Sequence, residues 1–374
     1  MRTPICDRLG IEFPIFAFSH CRDVVAAVSK AGGFGVLGAL AYAPDELEIE
    51  LNWIDEHVGD KPYGVDIVMP AKYVGKGGGA EASIDNLSSL IPQEHRDFVD
   101  KVLAEHHVPE VPPDVDTGTL KAAGLGVDLE GPGQVAVSLA HDKVQMLVNA
   151  LGPPPPDVIA EVHERGLIVG GLVGNRQHAE RQVAMGVDVI VAQGTEAGGH
   201  CGDVTSMVLW PEVVDAVGAD VPVLAAGGIG NGRQIAAALA LGAQGVWTGS
   251  IWLTVAEADT NPLVVENLLA ATSRDTVRAR VMTGKPARLL RSAWSEAWDR
   301  PDAPDPLPMP LQGMLYGEAA RRISRAHNKE LSGFPVGQIV GSMNRVRPTK
   351  DVMLDLVEEW IEATQRVASL LEDE

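Results

Sequence analysis

The chain has few of the residues that staple small secreted proteins or hold structural metals. Its 374 residues include only three cysteines, Cys6, Cys21 and Cys201, and no CxxC pair. A disulfide framework and a structural zinc site are therefore not expected, and a reducing cytoplasm fits this content best. His106 and His107 lie near an acidic residue but lack metal-ligand spacing, so we expect a surface pair and no metal.

Positive charge and long apolar runs are also scarce. The 30 Lys and Arg residues against 51 Asp and Glu give a formal net charge of -21, and no basic cluster exceeds Arg321-Arg322. A nucleic-acid groove or an affinity for anionic membranes is therefore not expected. No apolar run approaches the roughly 18 to 20 residues of a membrane span, and the first residues lack the apolar core of a secretory signal. The sequence predicts a soluble cytoplasmic protein.

Aromatic residues make up only 5% of the chain, whereas it contains 40 Gly and 25 Pro. Small aliphatic residues with frequent turn residues are typical of parallel α/β proteins. Apolar runs alternate with helical patterns, which are centred on residues 24–31, 44 onwards, 156–165, 175–185, 207–217 and 234–241. The predicted strands are 14–18, 33–38, 63–68, 146–150, 167–171, 187–192, 222–226 and 245–248.

Eight such steps predict an α/β fold of the closed (β/α)8 type, the TIM barrel, with an open doubly wound sheet as the alternative. We assign residues 1–260 to the barrel. Residues 70–130 break the repeat, contain a predicted helix at 93–106, and are interpreted as an insertion after the third strand. Residues 261–374 are predicted to form a helical C-terminal extension packed on the barrel, with a helix from about residue 350. A GxGxxG match at 33–38 runs into a strand instead of opening a helix, so a dinucleotide site is not expected.

The segment AQGTEAGGHCGD, residues 192–203, follows the sixth strand and predicts a ligand-binding loop. Its glycines, which include Gly194, Gly198 and Gly199, let the backbone approach a ligand closely. His200 is a candidate catalytic group, because a His with a pKa near neutrality can take a proton or bind an anion. His178 begins the helix after the fifth strand and is also a candidate, with a plain helix-surface His as the alternative.

Other strand ends complete a predicted pocket. The turns that contain Gly227 and Gly228 after the seventh strand, and Gly249 and Ser250 after the eighth, form the usual phosphate cradle of a barrel. The end of the first strand, 17–20, offers a backbone surface for a flat ring. A flavin mononucleotide fits this description, and a sugar phosphate does as well.

Several blocks together resemble the nitronate monooxygenase family, formerly called 2-nitropropane dioxygenases. They are AQGTEAGGHCGD, AAGGIGNGRQIAAALALGAQGVWTGS, the N-terminal PIFAF and VSKAGGFGVLG, TGKPAR at 283–288, and the short motifs at 310–312 and 337–338. The resemblance covers most of the chain except residues 70–130. It implies a TIM barrel that binds FMN non-covalently and oxidises alkyl nitronates with O2. It also implies that His200 is the catalytic base, and that FMN contacts Ala17, Phe18, Ser19, Gln193, Gly194, Gly198, Gly199, Gly227, Gly228, Gly249 and Ser250.

Two departures from the family leave the substrate open. Cys201 stands where Arg is common, and Asp66 stands where the third-strand motif usually has Asn. An ionised carboxylate there would repel an anionic substrate. His178 matches an active-site His of quinone-reducing relatives, so an NAD(P)H-dependent flavin reductase of quinones or enoyl thioesters is an alternative, as is a flavin-binding protein without turnover. The expected partners are a small-molecule substrate and O2, and a homo-oligomer is left open.

Overall fold

The computed structural model describes residues 1–69, 84–110 and 131–371, without the side chains of 84–86 and 132. Eight parallel strands close into a barrel, as predicted, and the open-sheet alternative is wrong. Each observed strand lies within two residues of its predicted ends. The barrel strands in chain order are β1 (Ile15–Ser19), β2 (Phe34–Gly38), β3 (Tyr63–Ile67), β4 (Val144–Asn149), β5 (Ile168–Val173), β6 (Val189–Gln193), β8 (Val223–Ala226) and β9 (Gly245–Thr248).

Helices surround the barrel and close its lower end. The helix α1 (Pro4–Leu9) places Ile5, Cys6 and Leu9 against the barrel interior. The outer helices are α2 (Arg22–Lys30), α3 (Pro44–His57), α6 (Gly131–Leu139), α7 (Pro156–Glu164), α8 (Arg176–Ala184), α9 (Ser206–Val217) and α10 (Gly232–Ala240). The predicted outer helices are confirmed, whereas α6, which packs on β3 and β4, follows the proposed insertion and was not expected.

The GxGxxG match at 33–38 forms β2, as predicted. An added Cβ at Gly35 would lie 2.3 Å from the carbonyl oxygen of Val25. This glycine therefore allows α2 to pack closely against the strand, and the pattern serves packing in the fold.

Side chains alternate between the helices and the barrel interior along each strand. The interior cluster includes Phe16, Phe34 and Trp247, with the rings of Phe16 and Phe34 5.1 Å apart. Phe18 packs against this cluster at the upper end. The carboxyl ends of the strands, where TIM barrels bind their ligands, therefore open above an apolar floor.

The helices outside the barrel repeat form a second hydrophobic core. They are α4 (Ile84–Ser89), α5 (Gln93–Glu105), α12 (Ala293–Ala297) and α13 (Leu311–Arg325). The helix predicted at 93–106 is α5, which packs against α13 of the C-terminal extension. Residues 70–83 and 111–130 of the proposed insertion lie outside the described residues, as do residues 372–374.

The rest of the C-terminal extension returns to the barrel. It comprises α11 (Pro262–Ala270), the strands β10 (Thr276–Ala279) and β11 (Ala287–Leu290), and α14 (Thr349–Ala368). The helix predicted from about residue 350 is α14, and it lies against α10. A Cβ at Gly232 of α10 would be only 2.3 Å from the backbone nitrogen of Trp360 of α14. Short 3-10 helices occupy Ser250–Thr254, Gln338–Ser342 and Ser369–Leu371. Within the described ranges, none of the helices combines the length and apolar character needed to cross a bilayer.

Candidate active site

The glycine loop, residues 192–203, contains a short strand that the sequence did not reveal. This strand, β7 (Gly199–His200), lies outside the barrel and pairs antiparallel with β11, which also pairs with β10. His200 lies opposite Ala287, and Gly199 lies opposite Arg288. The C-terminal extension therefore fixes the backbone of His200 above the barrel.

The His200 side chain is half-buried and is oriented by a backbone carbonyl. Its Nδ1 lies 3.2 Å from the Pro286 oxygen. Burial lowers the pKa of the His200 imidazole, the Pro286 carbonyl opposes this effect, and Lys285 adds to it. His200 is therefore neutral at neutral pH, with Nδ1–H donating to Pro286 and the Nε2 lone pair available to act as a base.

His178 lies on the exposed first turn of α8, after the carboxyl end of β5. Its backbone N–H donates to Asn175 Oδ1 at 2.8 Å, which caps the helix. In the described part of the chain, no hydrogen bond joins His178 to His200 or to the glycine loop. The structure thus places the two candidate histidines on different elements, α8 and β7.

The glycines of the loop face two different environments. A Cβ at Gly194 would lie 2.1 Å from Ser206 Oγ, and a Cβ at Gly198 would lie 2.7 Å from the Val336 backbone. These two glycines permit close packing of the loop against the protein. By contrast, a Cβ at Gly199 would meet nothing within 4 Å, and one at Gly249 would meet only Phe18 Cδ1 at 3.9 Å. Gly199 and Gly249 therefore have open space on the Cβ side of the backbone.

The two predicted phosphate turns lie at the ends of adjacent strands, β8 and β9. Gly227 and Gly228 adopt φ values of 94° and 74°, which L side chains rarely adopt. Asn231 then caps α10 by accepting a hydrogen bond from the Gln234 N–H at 3.1 Å. Ser250 begins a 3-10 helix directly after Gly249. The Gly230 and Asn231 N–H groups donate to Gln234 Oε1, and the Gly232 N–H donates to the Glu359 carboxylate, so the start of α10 is already satisfied. What the two turns offer an anion is the backbone of Gly227–Gly228 and of Gly249–Ser250.

The C-terminal segment 336–338 closes the gap between these loops. The Gly337 N–H donates to Ser250 Oγ at 2.8 Å, and the Gln338 N–H donates to the backbone oxygen of Glu196 at 2.9 Å. The Glu196 carboxylate in turn accepts hydrogen bonds from the Ser206 N–H at 3.0 Å and from its hydroxyl at 2.8 Å. No role for Ser206 was predicted from the sequence, because its contact with Glu196 forms only when the glycine loop folds back onto the start of α9.

The end of β1 presents one ring and two backbone positions. Phe18 packs edge-on to the ring of His20 at 5.1 Å and lies 6.1 Å from that of Trp247. The Ala17 side chain belongs to the cluster between barrel and helices, so only its backbone can face a ligand. Ser19 Oγ accepts a hydrogen bond from the Cys21 N–H at 3.1 Å. Gln193, at the end of β6, is half-buried, with its Nε2 3.5 Å from the Gly198 oxygen.

Arginines anchor the loop beside Cys201. Arg278 donates to the Cys201 oxygen at 3.3 Å, and the buried Arg288 donates to the Thr195 oxygen at 2.7 Å. Because Arg278 and Arg288 are paired across β10 and β11, they share one face of this sheet, and His200 is on the other. The residue at position 201 is Cys and not Arg. The guanidinium beside this position comes instead from Arg278 on β10, which reaches the backbone oxygen of Cys201.

Asp66 on β3 is only 3% exposed, and its Oδ1 has no hydrogen-bond partner among the described residues. Burial raises the pKa of the Asp66 carboxyl well above its usual range. Burial thus favours the neutral acid over the carboxylate, which weakens the charge repulsion that its sequence position suggests.

Comparison with known proteins gives matches over nearly the whole chain. A profile of the nitronate monooxygenase family matches residues 2–359. A Mycobacterium tuberculosis protein with a provisional monooxygenase name is 54% identical over 380 residues, which cover 100% of both chains. A Staphylococcus saprophyticus protein with the provisional name nitronate monooxygenase is 29% identical over 355 residues, 90% of this chain and 92% of its own.

Two solved structures share the fold over almost their full length. Nitroalkane oxidase from Streptomyces ansochromogenes is 25% identical with a TM-score of 0.79, covering 97% of this chain and 99% of its own. FabK from Thermotoga maritima is 28% identical with a TM-score of 0.73, covering 99% of both chains.

Proposed function

Because the chain belongs to the nitronate monooxygenase family, whose members are flavoproteins, we propose that it binds FMN and oxidises alkyl nitronates with O2. The family and the names of its relatives make it an enzyme of the monooxygenase type. The observation that carries the substrate assignment is His200, a neutral imidazole next to Gly199, where the loop borders open space.

The residues at the barrel mouth fit FMN in chemical terms. Phe18 and the backbone of Ala17 and Ser19 would face the ring system, and the open side of Gly199 would border it. The turns at Gly227–Gly228 and Gly249–Ser250 would hold the phosphate through backbone N–H groups. Gln193, Gly194 and Gly198 would shape the loop between these two ends. When bound, the flavin supplies the redox chemistry with O2.

The chain itself supplies a base and its orientation. Pro286 holds Nδ1–H of His200, so the Nε2 lone pair can take a proton from the carbon next to a nitro group. The Nε2–H formed in this way can then donate a hydrogen bond to an oxygen of the nitronate. The low-polarity surroundings that lower the pKa of His200 keep this nitrogen unprotonated. His178 is the second candidate base, from α8.

Replacement of each histidine tests this assignment. With a neutral nitroalkane, His200→Asn should lower kcat/KM by about 10²–10⁴-fold, the usual contribution of a general base, with FMN content unchanged. His178→Asn is the matched control and should retain most of the activity. Full activity of a flavin-loaded His200→Asn protein would remove His200 from the mechanism, and a loss confined to His178→Asn would transfer the role.

The likeness to FabK, an enoyl reductase, supports a second candidate, an NAD(P)H-dependent flavin reductase. Anaerobic mixing of the purified protein with NADH, NADPH or alkyl nitronates separates the two functions. Rapid bleaching of the flavin absorbance by a nitronate supports the first function, and bleaching by NAD(P)H alone supports the second. Bound flavin that none of these compounds reduces would indicate a binding protein without turnover.

A further inference from the structure

Asp66 faces the interior of the barrel near its upper end. Two residues earlier on β3, a Cβ at Gly64 would lie 2.9 Å from the ring of Phe34, an interior residue. Because strand side chains alternate, Asp66 points to the same interior face. Its partners in the neighbouring strands are Gly38 on β2 and Val148 on β4.

The Asp66 carboxyl has no charged partner in the described part of the molecule. No ion pair to Asp66 is found there, and Oδ1 is unpartnered; a hydrogen bond from the Ala150 backbone favours the carboxylate, but burial outweighs it and raises the pKa of the group. On the mouth side, the ring of His20 would contact a Cβ at Gly38, and its Nδ1 lies 2.8 Å from the Gly38 oxygen. The strands β2 and β4 carry no titratable side chain, and α2 and α6 pack on the other face of β3. A buried carboxylate without a charged partner is costly, so burial favours the protonated form, which has an O–H to donate.

Resting on the function proposed above, we propose that Asp66 donates a hydrogen bond to the bound FMN, and that ionisation of this carboxyl weakens FMN binding. Phe18, which would face the flavin ring, is the link: its Cζ lies 2.8 Å from the Cβ position of Gly38, the strand neighbour of Asp66. The ring edge of a flavin carries carbonyl acceptors that a neutral acid can satisfy.

This role differs from that of the Asn usual in the family motif. An amide donates a hydrogen bond at any pH, whereas a carboxylic acid donates only while it is protonated. A carboxylate would present only acceptor oxygens to the flavin carbonyl. Cofactor binding in this chain is therefore coupled to one proton, and the coupling should vanish when the amide is restored.

The test is the pH dependence of FMN retention. Holoenzyme is equilibrated between about pH 6 and 9.5, and the free FMN that passes an ultrafilter is measured by fluorescence to give Kd. For the natural chain, Kd should rise with pH by up to about tenfold per pH unit, the limit for one linked proton. In Asp66→Asn this rise of Kd with pH should be absent. Any pH dependence that comes from titration of FMN itself occurs in both proteins and therefore cancels in the comparison.

Three further results decide the outcome. His20→Gln should keep the pH dependence of the natural chain, and this result would assign the linked proton to Asp66. Loss of the pH dependence in His20→Gln would overturn the proposal. Asp66→Ser, a neutral donor at every pH, serves if Asp66→Asn does not fold, and should also lack the dependence. Parallel curves for the natural chain and both Asp66 variants would overturn this inference alone, whereas failure of every protein to bind FMN would overturn the proposed function with it.

Discussion

At the scale of single residues, His200 is the proposed base, and its environment is set by the backbone. Many functional histidines are oriented by a carboxylate, which favours the charged imidazolium. Here a carbonyl, that of Pro286, accepts the Nδ1 proton, and burial with Lys285 disfavours the positive charge. The sequence identified His200 through its glycine neighbours, but its charge state depends on Pro286 and Lys285, which are more than 80 residues away.

This environment predicts a pH profile. A base with a lowered pKa stays active to lower pH, so kcat/KM for a neutral nitroalkane should be level near neutrality. It should fall only as pH drops through the pKa of His200, below 6.5. Lys285→Met removes a nearby positive charge and should move this limb to higher pH. Steady-state rates between pH 5 and 8 measure both; a limb above pH 6.5 in the natural chain would contradict the prediction.

At the scale of elements, the eight strands could be predicted because each is a buried apolar run between turn residues. The strand β7 could not, since two residues show no periodicity and its pairing partner, β11, lies almost 90 residues later. The Gly-rich turn after β8 was recognisable from composition, because the left-handed backbone of Gly227 and Gly228 favours glycine. The packing of Gly337 between Glu196 and Ser250 is set by tertiary contact alone.

The turn after β8 predicts a separation of stability from cofactor binding. Gly228 and Gly59 have nearly the same left-handed φ, 74° and 73°, but only Gly228 lies at the mouth. Alanine at either position should lower the free energy of unfolding by about 1–2 kcal/mol through backbone strain. Only Gly228→Ala should also release FMN, measured by flavin content after gel filtration. Equal FMN content in the two variants would place the phosphate elsewhere.

At the scale of the whole molecule, the two segments outside the barrel repeat meet each other. Phe98 and Val102 of α5 share a core with Trp298 and Leu315 of the C-terminal extension. Leu289 of β11 belongs to the same core, so the sheet that holds His200 rests on it. The sequence predicted that both segments, residues 70–130 and 261–374, lie outside the barrel repeat. Their contact was not predictable, because it joins residues about 200 positions apart that share no local pattern.

Either apolar packing or ion pairs could hold α5 against the extension, and two substitutions on that helix decide between them. Phe98 is 6% exposed and packs edge-on against Trp298 at 5.0 Å, whereas Lys101 forms an exposed ion pair with Asp302 at 2.7 Å. Phe98→Ala should lower the free energy of unfolding by about 3–5 kcal/mol, the usual cost of emptying a buried aromatic site. Lys101→Ala should change it by no more than the error of the measurement, since exposed pairs are screened by water.

Urea denaturation followed by tryptophan fluorescence reports on both variants, because Trp294 and Trp298 lie in this core. Comparable losses for the two variants would contradict this prediction, because they would mean that the Lys101–Asp302 ion pair contributes as much as the apolar contact of Phe98.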